Sequence, residues 1–302
     1  MEVQDVHADG SPRVLLARTA PTRPGRCSHF RAVTIATVEE GVAPTEVDEL
    51  HRTQGYSRSM IVFLHGVPET ADIWNDVRGR IDRPSTALRL PGFGCPRPDG
   101  FGATKDDYVA WILGEFDRID APIDLVGHDW GAGFTYRLAT AFGDRVRSWV
   151  ADVGNIVHPD YTWHAFAQLW QTPGEGEAFF AGQEAAPVAD RAAGYEGLGV
   201  PAAGALEMAN AGDAVMASCI LDLYRSATPN AHATWGPWSP TRAPGLIIHP
   251  IGDPFSDDAM ANEVASALGA RFEVLQEAGH FWPYQSPGEA VEILEAFWAS
   301  LD

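Results

Sequence analysis

The sequence predicts an α/β fold in which a mostly parallel sheet is covered on both faces and interrupted by a helical insertion. Three observations lead there. Continuous apolar runs of strand length, such as 59–66 (SMIVFLHG) and 245–253 (GLIIHPIGD), end at Gly or in a loop, as buried parallel strands do. Between such runs lie segments with apolar residues at helical spacing, such as 105–119 (KDDYVAWILGEFDRI), so strand and helix alternate. The alternation then stops over 155–240, a stretch of aromatics, prolines and Ala/Gly/Glu-rich sequence, and resumes after it.

In chain order, 1–28 is mixed and Arg/Pro-rich and earns no firm element, while 30–41 alternates polar and apolar residues like a half-buried strand. The 59–66 strand follows, then a helix over 71–81 and a strand over 86–94 that breaks into a Pro/Gly loop. After the helix at 105–119 come a strand ending in IDLVGHD, a helix reading GAGFTYRLATAFGDRV, and the strand SWVADVG at 148–154. Beyond the insertion, 245–253 and 271–280 read as strands, and DDAMANEVASALG and PGEAVEILEAFWASL as helices. The expected domains are therefore a core of 1–154 and 241–302, with 1–28 loosely structured, and a helical cap of 155–240.

Composition narrows the function. The 302 residues, 45% of them hydrophobic, suffice for one large core with a smaller insertion. A formal charge of −20 repels phosphate backbones and anionic lipid, which argues against nucleic-acid or membrane partners. The three cysteines, Cys27, Cys95 and Cys219, are far apart and lack metal-type spacing, which fits a reducing, cytoplasmic setting rather than a disulfide framework. The acidic start has no apolar stretch of signal-peptide type, and no apolar run is long enough to span a bilayer.

Chemistry in a parallel sheet gathers at the carboxyl ends of its strands, and four such ends carry polar groups: HGVPE at 65–69, GHDWG at 127–131, Asp253 and His280. Gly127 and Gly131 frame a tight strand-to-helix turn that pushes Asp129 toward a pocket at a helix N-terminus, where an anion is favoured. A serine more often occupies that turn. A serine must lose a proton to attack, whereas a carboxylate is already an anion and can displace a leaving group at saturated carbon. His280 is then free to activate the water that hydrolyses the resulting ester. A second acid would orient His280, and the backbone N–H groups of Val67 and Trp130 would cradle the oxyanion. Taken singly, Asp129 could be a plain helix N-cap, His65 a side chain bonding backbone in an ordinary turn, and Asp257 and Asp258 a helix N-terminus.

These segments resemble the α/β-hydrolase superfamily over about residues 30–302, and within it the aspartate-nucleophile branch of epoxide hydrolases and haloalkane or haloacetate dehalogenases. HGVPET..IW looks like the epoxide hydrolase HG-x-P-E loop, GHDWG is similar to the nucleophile motif shared across the branch, and AGHFWPYQSP resembles its catalytic-histidine segment. The resemblance implies a cofactor-independent hydrolase without a metal, acting on a small molecule. Asp129 would be the nucleophile, His280 the base and Asp253 the orienting acid, with Asp152 in VADVGN as the alternative. LDLYRSATPN at 221–230 resembles the segment that carries a ring-opening tyrosine in epoxide hydrolases, which places that donor at Tyr224. The second donor's place falls on Phe166, which has no proton to give, and Trp163 or His164 would stand in. A dehalogenase would instead need N–H donors for halide. Trp130 could supply one, Val67 stands where an Asn often does, and Trp163, Trp170, Trp235 or Trp238 could supply another. The positions after Asp129 lack the arginines of the haloacetate branch, so the aromatic cap, with Trp163, His164, Phe166 and Trp170 against substrate, suits a bulkier apolar molecule.

The expectation is thus an epoxide hydrolase that forms a vicinal diol, with a haloalkane dehalogenase as the alternative. A small-molecule receptor with decayed catalysis is a third reading, disfavoured by the intact Asp129 and His280. A homo-oligomer is compatible with all three.

Overall fold

The computed structural model describes residues 59–301. The expected strand at 30–41 and the loose segment 1–28 lie outside the described residues. Elements are numbered here within the described part, and helices shorter than a full two turns are left unnumbered. Six strands form one parallel sheet in the order β2-β1-β3-β4-β5-β6. They are β1 (Met60–Leu64), β2 (Ser85–Leu88), β3 (Ile123–Gly127), β4 (Ser148–Ala151), β5 (Gly245–Pro250) and β6 (Arg271–Leu275).

β1 shows why the sheet must be covered on both sides. Its alternate residues enter two different cores: Val62 and Leu64 join the cluster that holds Leu125, Phe134 and Leu138, while Ile61 and Phe63 join the one that holds Trp74, Leu294 and Trp298. Helix α1 (Lys105–Phe116) starts at Thr104, whose hydroxyl accepts from Asp107 N–H while the Asp107 carboxylate accepts from Thr104 N–H. Helix α2 (Trp130–Ala141) follows β3, α8 (Asp258–Leu268) follows β5, and α9 (Pro287–Ala299) closes the chain. Asp257 caps α8 by accepting from Met260 N–H at 2.8 Å, the structural role its position suggested.

Two elements are shorter than their periodicity implies. The helix expected at 71–81 is a 3-10 turn at Ala71–Trp74 followed by a single α turn ending at Arg78, and the strand expected at 86–94 ends at Leu88, ahead of Pro91. Between β4 and β5 lie the helices α3 (Ala165–Gln171), α4 (Glu175–Ala185), α5 (Val188–Glu196), α6 (Ala202–Ala211) and α7 (Ala214–Ser226). Helix α5 packs on α6, and α3 packs on both α4 and α7.

Strand register sets the site. Leu64 pairs with Gly127, Gly127 with Ala151 and Ala151 with Ile247, so β1, β3 and β4 finish level and β5 runs on past them to Pro250. The loop at 65–69, Asp129, Asp152 and Asp253 therefore leave the sheet on one edge. No helix among the described residues is long and apolar enough to cross a membrane.

Candidate active site

The turn after β3 leaves little room for alternatives. A Cβ on Gly127 would lie 2.2 Å from Gly131 O, and one on Gly131 would lie 2.2 Å from Leu64 O. The residue between them, Asp129, is held at φ 53° and ψ −119°, a conformation that costs an L-residue about 1–3 kcal/mol. Asp129 does not cap α2, since its side chain makes no cap bond. Its Oδ1 accepts instead from Val67 N–H at 2.8 Å, and its Oδ2 lies 3.8 Å from His280 Nε2. The side chain is 13% exposed. Among the described residues, no bond joins Trp130 N–H to the carboxylate, so Val67 is the amide that holds it in this state.

His280, in the loop after β6, turns its Nδ1 to Asp253 Oδ2 at 3.0 Å, and Asp253 Oδ1 accepts from Phe255 N–H at 2.8 Å. Phe255 also lies edge-on to the His280 ring, with centroids 5.0 Å apart. Asp152 is elsewhere occupied. It accepts from Asp129 N–H at 2.9 Å, from Trp282 Nε1 at 2.6 Å and from His128 Nδ1. Of the two acids that sequence left open, the one against His280 is Asp253.

The other face of His128 meets Glu69, whose Oε1 is 3.0 Å from Nε2 and whose Oε2 accepts from Gly66 N–H at 3.1 Å. Glu69, His128 and Asp152 are all buried, with Trp74 and Trp282 edge-on to the imidazole. This trio was not assigned from sequence, although Glu69 and His128 lie inside the two motifs that were. Glu69 and Asp152 both lie just past the ends of strands, at Leu64 and Ala151, and that position gives no hint of whether an acid faces solvent or a histidine. Burial opposes charge on His128, but the two carboxylates prevail and raise its pKa well above the ordinary value, making it an imidazolium. Glu69 is correspondingly held low: burial would raise it, and the His128 charge and hydrogen bond outweigh that.

Asp129 is shifted the other way from Glu69, while His280 moves in the same direction as His128. Burial, aided by the Glu69 charge, lifts Asp129 to about 6 against the pull of His280 and His128. The helix N-terminus was expected to favour the ionised form of Asp129, and desolvation works against it. Burial disfavours the His280 cation, yet the Asp253 carboxylate raises the His280 pKa above 6.5. His65 is neutral, lowered by burial to about 4, with Nδ1 donating to Gly66 O and Nε2 accepting from Leu90 N–H.

A cavity of about 540 Å³ opens on this pair, within the range of small-molecule sites. Asp129, His280, Val67, Tyr224 and Phe255 line its floor, with His164, Phe166 and Trp170 among the residues above. Trp163 is not part of the wall; it stacks on Trp130 and gives its indole N–H to Ala227 O. Trp235 and Trp238 likewise spend their N–H groups, on Asp106 and Val157 O. Phe166 is 51% exposed and packs on Trp170. His164 caps α3 through Nδ1, which accepts from Ala167 N–H, so its proton sits on Nε2. Burial and the nearby His280 hold it neutral, at about 4.

Tyr224 is fully enclosed by aromatic rings, with Trp130, Trp163 and Trp170 at centroid distances of 5.4, 5.1 and 5.0 Å. Burial raises its pKa, and so do the charges of Asp129 and Tyr161, while the Trp130 indole beside its hydroxyl acts the other way. Tyr161 was missed in the sequence. It sits in the turn ahead of α3, faces the charges of Asp129 and Asp253, and turns its hydroxyl toward the His164 amide. A tyrosine next to the Pro-Asp turn that opens the insertion was the available signal.

Comparison with known proteins agrees with this architecture. Residues 61–293 match the model of the Alpha/beta hydrolase family. A haloalkane dehalogenase of Agrobacterium fabrum is 28% identical over 141 residues, covering 43% of this chain and 46% of the relative. A second, from Bradyrhizobium diazoefficiens, is 28% identical over 148 residues, 39% of this chain and 44% of the relative. The chain thus spans less than half the length of these curated relatives. Among solved structures, a mutant of an epoxide hydrolase from Bacillus megaterium superposes with a TM-score of 0.66 at 18% identity, covering 80% of this chain and 93% of that one. A mutant of a Pseudomonas aeruginosa protein described as an epoxide hydrolase gives 0.67 at 20%, covering 81% and 90%. A haloalkane dehalogenase from Bradyrhizobium elkani gives 0.63 at 19%, covering 82% and 91%.

Proposed function

Because this chain belongs to the alpha/beta hydrolase family, we propose that it is an epoxide hydrolase working through an ester on Asp129. The observation that carries the reading is Tyr224: a phenol without a carboxylate partner, in the same cavity as Asp129 and within reach of its charge. Carboxylate attack at an epoxide carbon breaks the C–O bond and leaves an alkoxide, which needs a proton at once. Tyr224 supplies it, and Tyr161, on the same side, is the second donor. The helices over 165–235, with the turn before them that carries Tyr161, are the cap that brings both to the core.

The second half follows from His280. A water within reach of both Nε2 and the Asp129 carboxyl gives its proton to His280, whose cation Asp253 stabilises. Hydroxide attacks Asp129 Cγ. The negative charge collects on Oδ1, already held by Val67 N–H, with Trp130 N–H as the second amide. The ester C–O bond then breaks, the new Asp129 carboxyl gives its proton to the departing alkoxide, the diol leaves, and the His280 proton restores the tyrosine.

A second reading has its own support. The indole nitrogens of Trp130 and Trp170 are both buried without a hydrogen-bond partner and flank Tyr224. Two such donors would suit a departing halide, and the curated relatives are described as haloalkane dehalogenases. Turnover of a panel of apolar epoxides and haloalkanes by the native protein and by Tyr224→Phe separates the two. Epoxide opening should yield diol and fall about 10²–10⁴-fold in the variant. Halide release without any diol, unaffected by Tyr224→Phe, establishes the second reading.

A further inference from the structure

The cavity that ends on Asp129 also reaches Arg191, on α5, a side chain the chemistry above does not use. Its Nη1 donates to Gly212 O at 3.3 Å, which ties the end of α6 to α5. Its Nε is buried and makes no hydrogen bond, and no bond to Nη2 exists among the described residues. No carboxylate among the described residues pairs with it. Asp213, which also lines the cavity, is exposed and turns its Oδ1 to Met216 N–H as the cap of α7, and Glu184 stands exposed at the rim. By contrast Arg225, on the same side of the cap, is held by both oxygens of Glu177.

A half-buried cation with no paired carboxylate, in the wall of a largely apolar cavity, favours an anion that comes to it. Most of the lining that Arg191 shares with Asp129 and His280 is apolar, with Phe180, Met208, Met216 and Leu221 among it. We infer that the cavity takes an amphipathic substrate, a hydrocarbon chain with a terminal carboxylate, whose carboxylate is held by Arg191 while the chain carries its reactive carbon to Asp129. Nε is enclosed by protein, so the donor left for a carboxylate is Nη2, the one terminal nitrogen that makes no hydrogen bond among the described residues. The chain's net charge of −20 works against anions in general, so the preference has to come from this one local cation. This reading rests on the cavity being the substrate site proposed above, and it narrows that substrate to a chain-bearing acid.

The test uses probes that cannot react. Binding of decanoate and of decanol to the whole protein is measured by calorimetry at about pH 8, where the acid is ionised. Decanoate should bind about 10–100-fold more tightly than decanol. Arg191→Gln should abolish that preference and leave decanol affinity unchanged, which also shows the cavity intact. Equal affinities in the native protein, or a preference that survives Arg191→Gln, overturn the inference. If Arg191→Gln loses both probes, Arg191→Lys decides: a retained preference for decanoate supports the inference, and a lost one overturns it. The result is independent of turnover. Failure of every epoxide and haloalkane would remove the proposed reaction and leave the binding result standing.

Discussion

Replacing His280 with Gln should stop the protein halfway through its cycle. The first half-reaction needs only the Asp129 carboxylate and a proton for the leaving oxygen, and His280 touches neither bond. The second needs a base beside the ester, and among the described residues His280 is the imidazole whose free nitrogen points at Asp129, with Nε2 3.8 Å from Oδ2. Loss of a general base slows its step about 10²–10⁴-fold, or about 2.7–5.5 kcal/mol of barrier. The first step should slow much less, because the variant removes only the His280 contribution that favours the Asp129 anion. Mixed with an apolar epoxide, the variant should therefore give a burst of about one equivalent and then stall. Intact-protein mass should rise by the mass of the epoxide, and peptide mapping should place the addition on Asp129. Steady turnover without a burst, or an adduct on any other side chain, would refute the ester mechanism.

Two further outcomes are expected. Asp152→Asn should lower thermal stability by about 3–5 kcal/mol, because its carboxylate serves the imidazolium of His128, the amide of Asp129 and the indole of Trp282. Asp253→Asn should mainly slow ester hydrolysis, and calorimetry with single-turnover kinetics on both variants checks the contrast. On pH, Asp129 is protonated below about 6 and cannot attack, so ester formation should fall about tenfold per unit below that point and be flat above it. His280 titrates above 6.5 and must be neutral to act, so hydrolysis should fail first on acidification. Ester should accumulate between the two limits, and quenched-flow mass measurements across that window would show whether it does.

The core was legible because its signals are local. A strand ending in glycine, and a second glycine four residues on, leave one conformation for the residue between, and the sequence around 127–131 states that directly. The choice between Asp253 and Asp152 was not legible, since both follow strands, and what separates them is that Trp282 and His128 come from elsewhere to occupy Asp152. The side chains of the 155–240 stretch were less legible for a related reason. Its short helices bury rings against one another rather than one stripe against a sheet, so periodicity carried little. Spacing pointed to Phe166, which lies on the outer side of α3, whereas Tyr161 sits in the turn before it, where helical counting does not apply. Arg191 stood in an Ala/Gly/Glu-rich stretch with nothing to mark it.

The buried Glu69, His128 and Asp152 have a consequence for how such a molecule can change over generations. They fasten the 65–69 loop, the β3 turn and the end of β4 to one another without help from any residue of the insertion. Mutations that reshape the walls above can therefore alter which molecules are accepted while the attacking group keeps its alignment. New substrate ranges should be reachable by drift in 155–240 at little risk to the reaction itself.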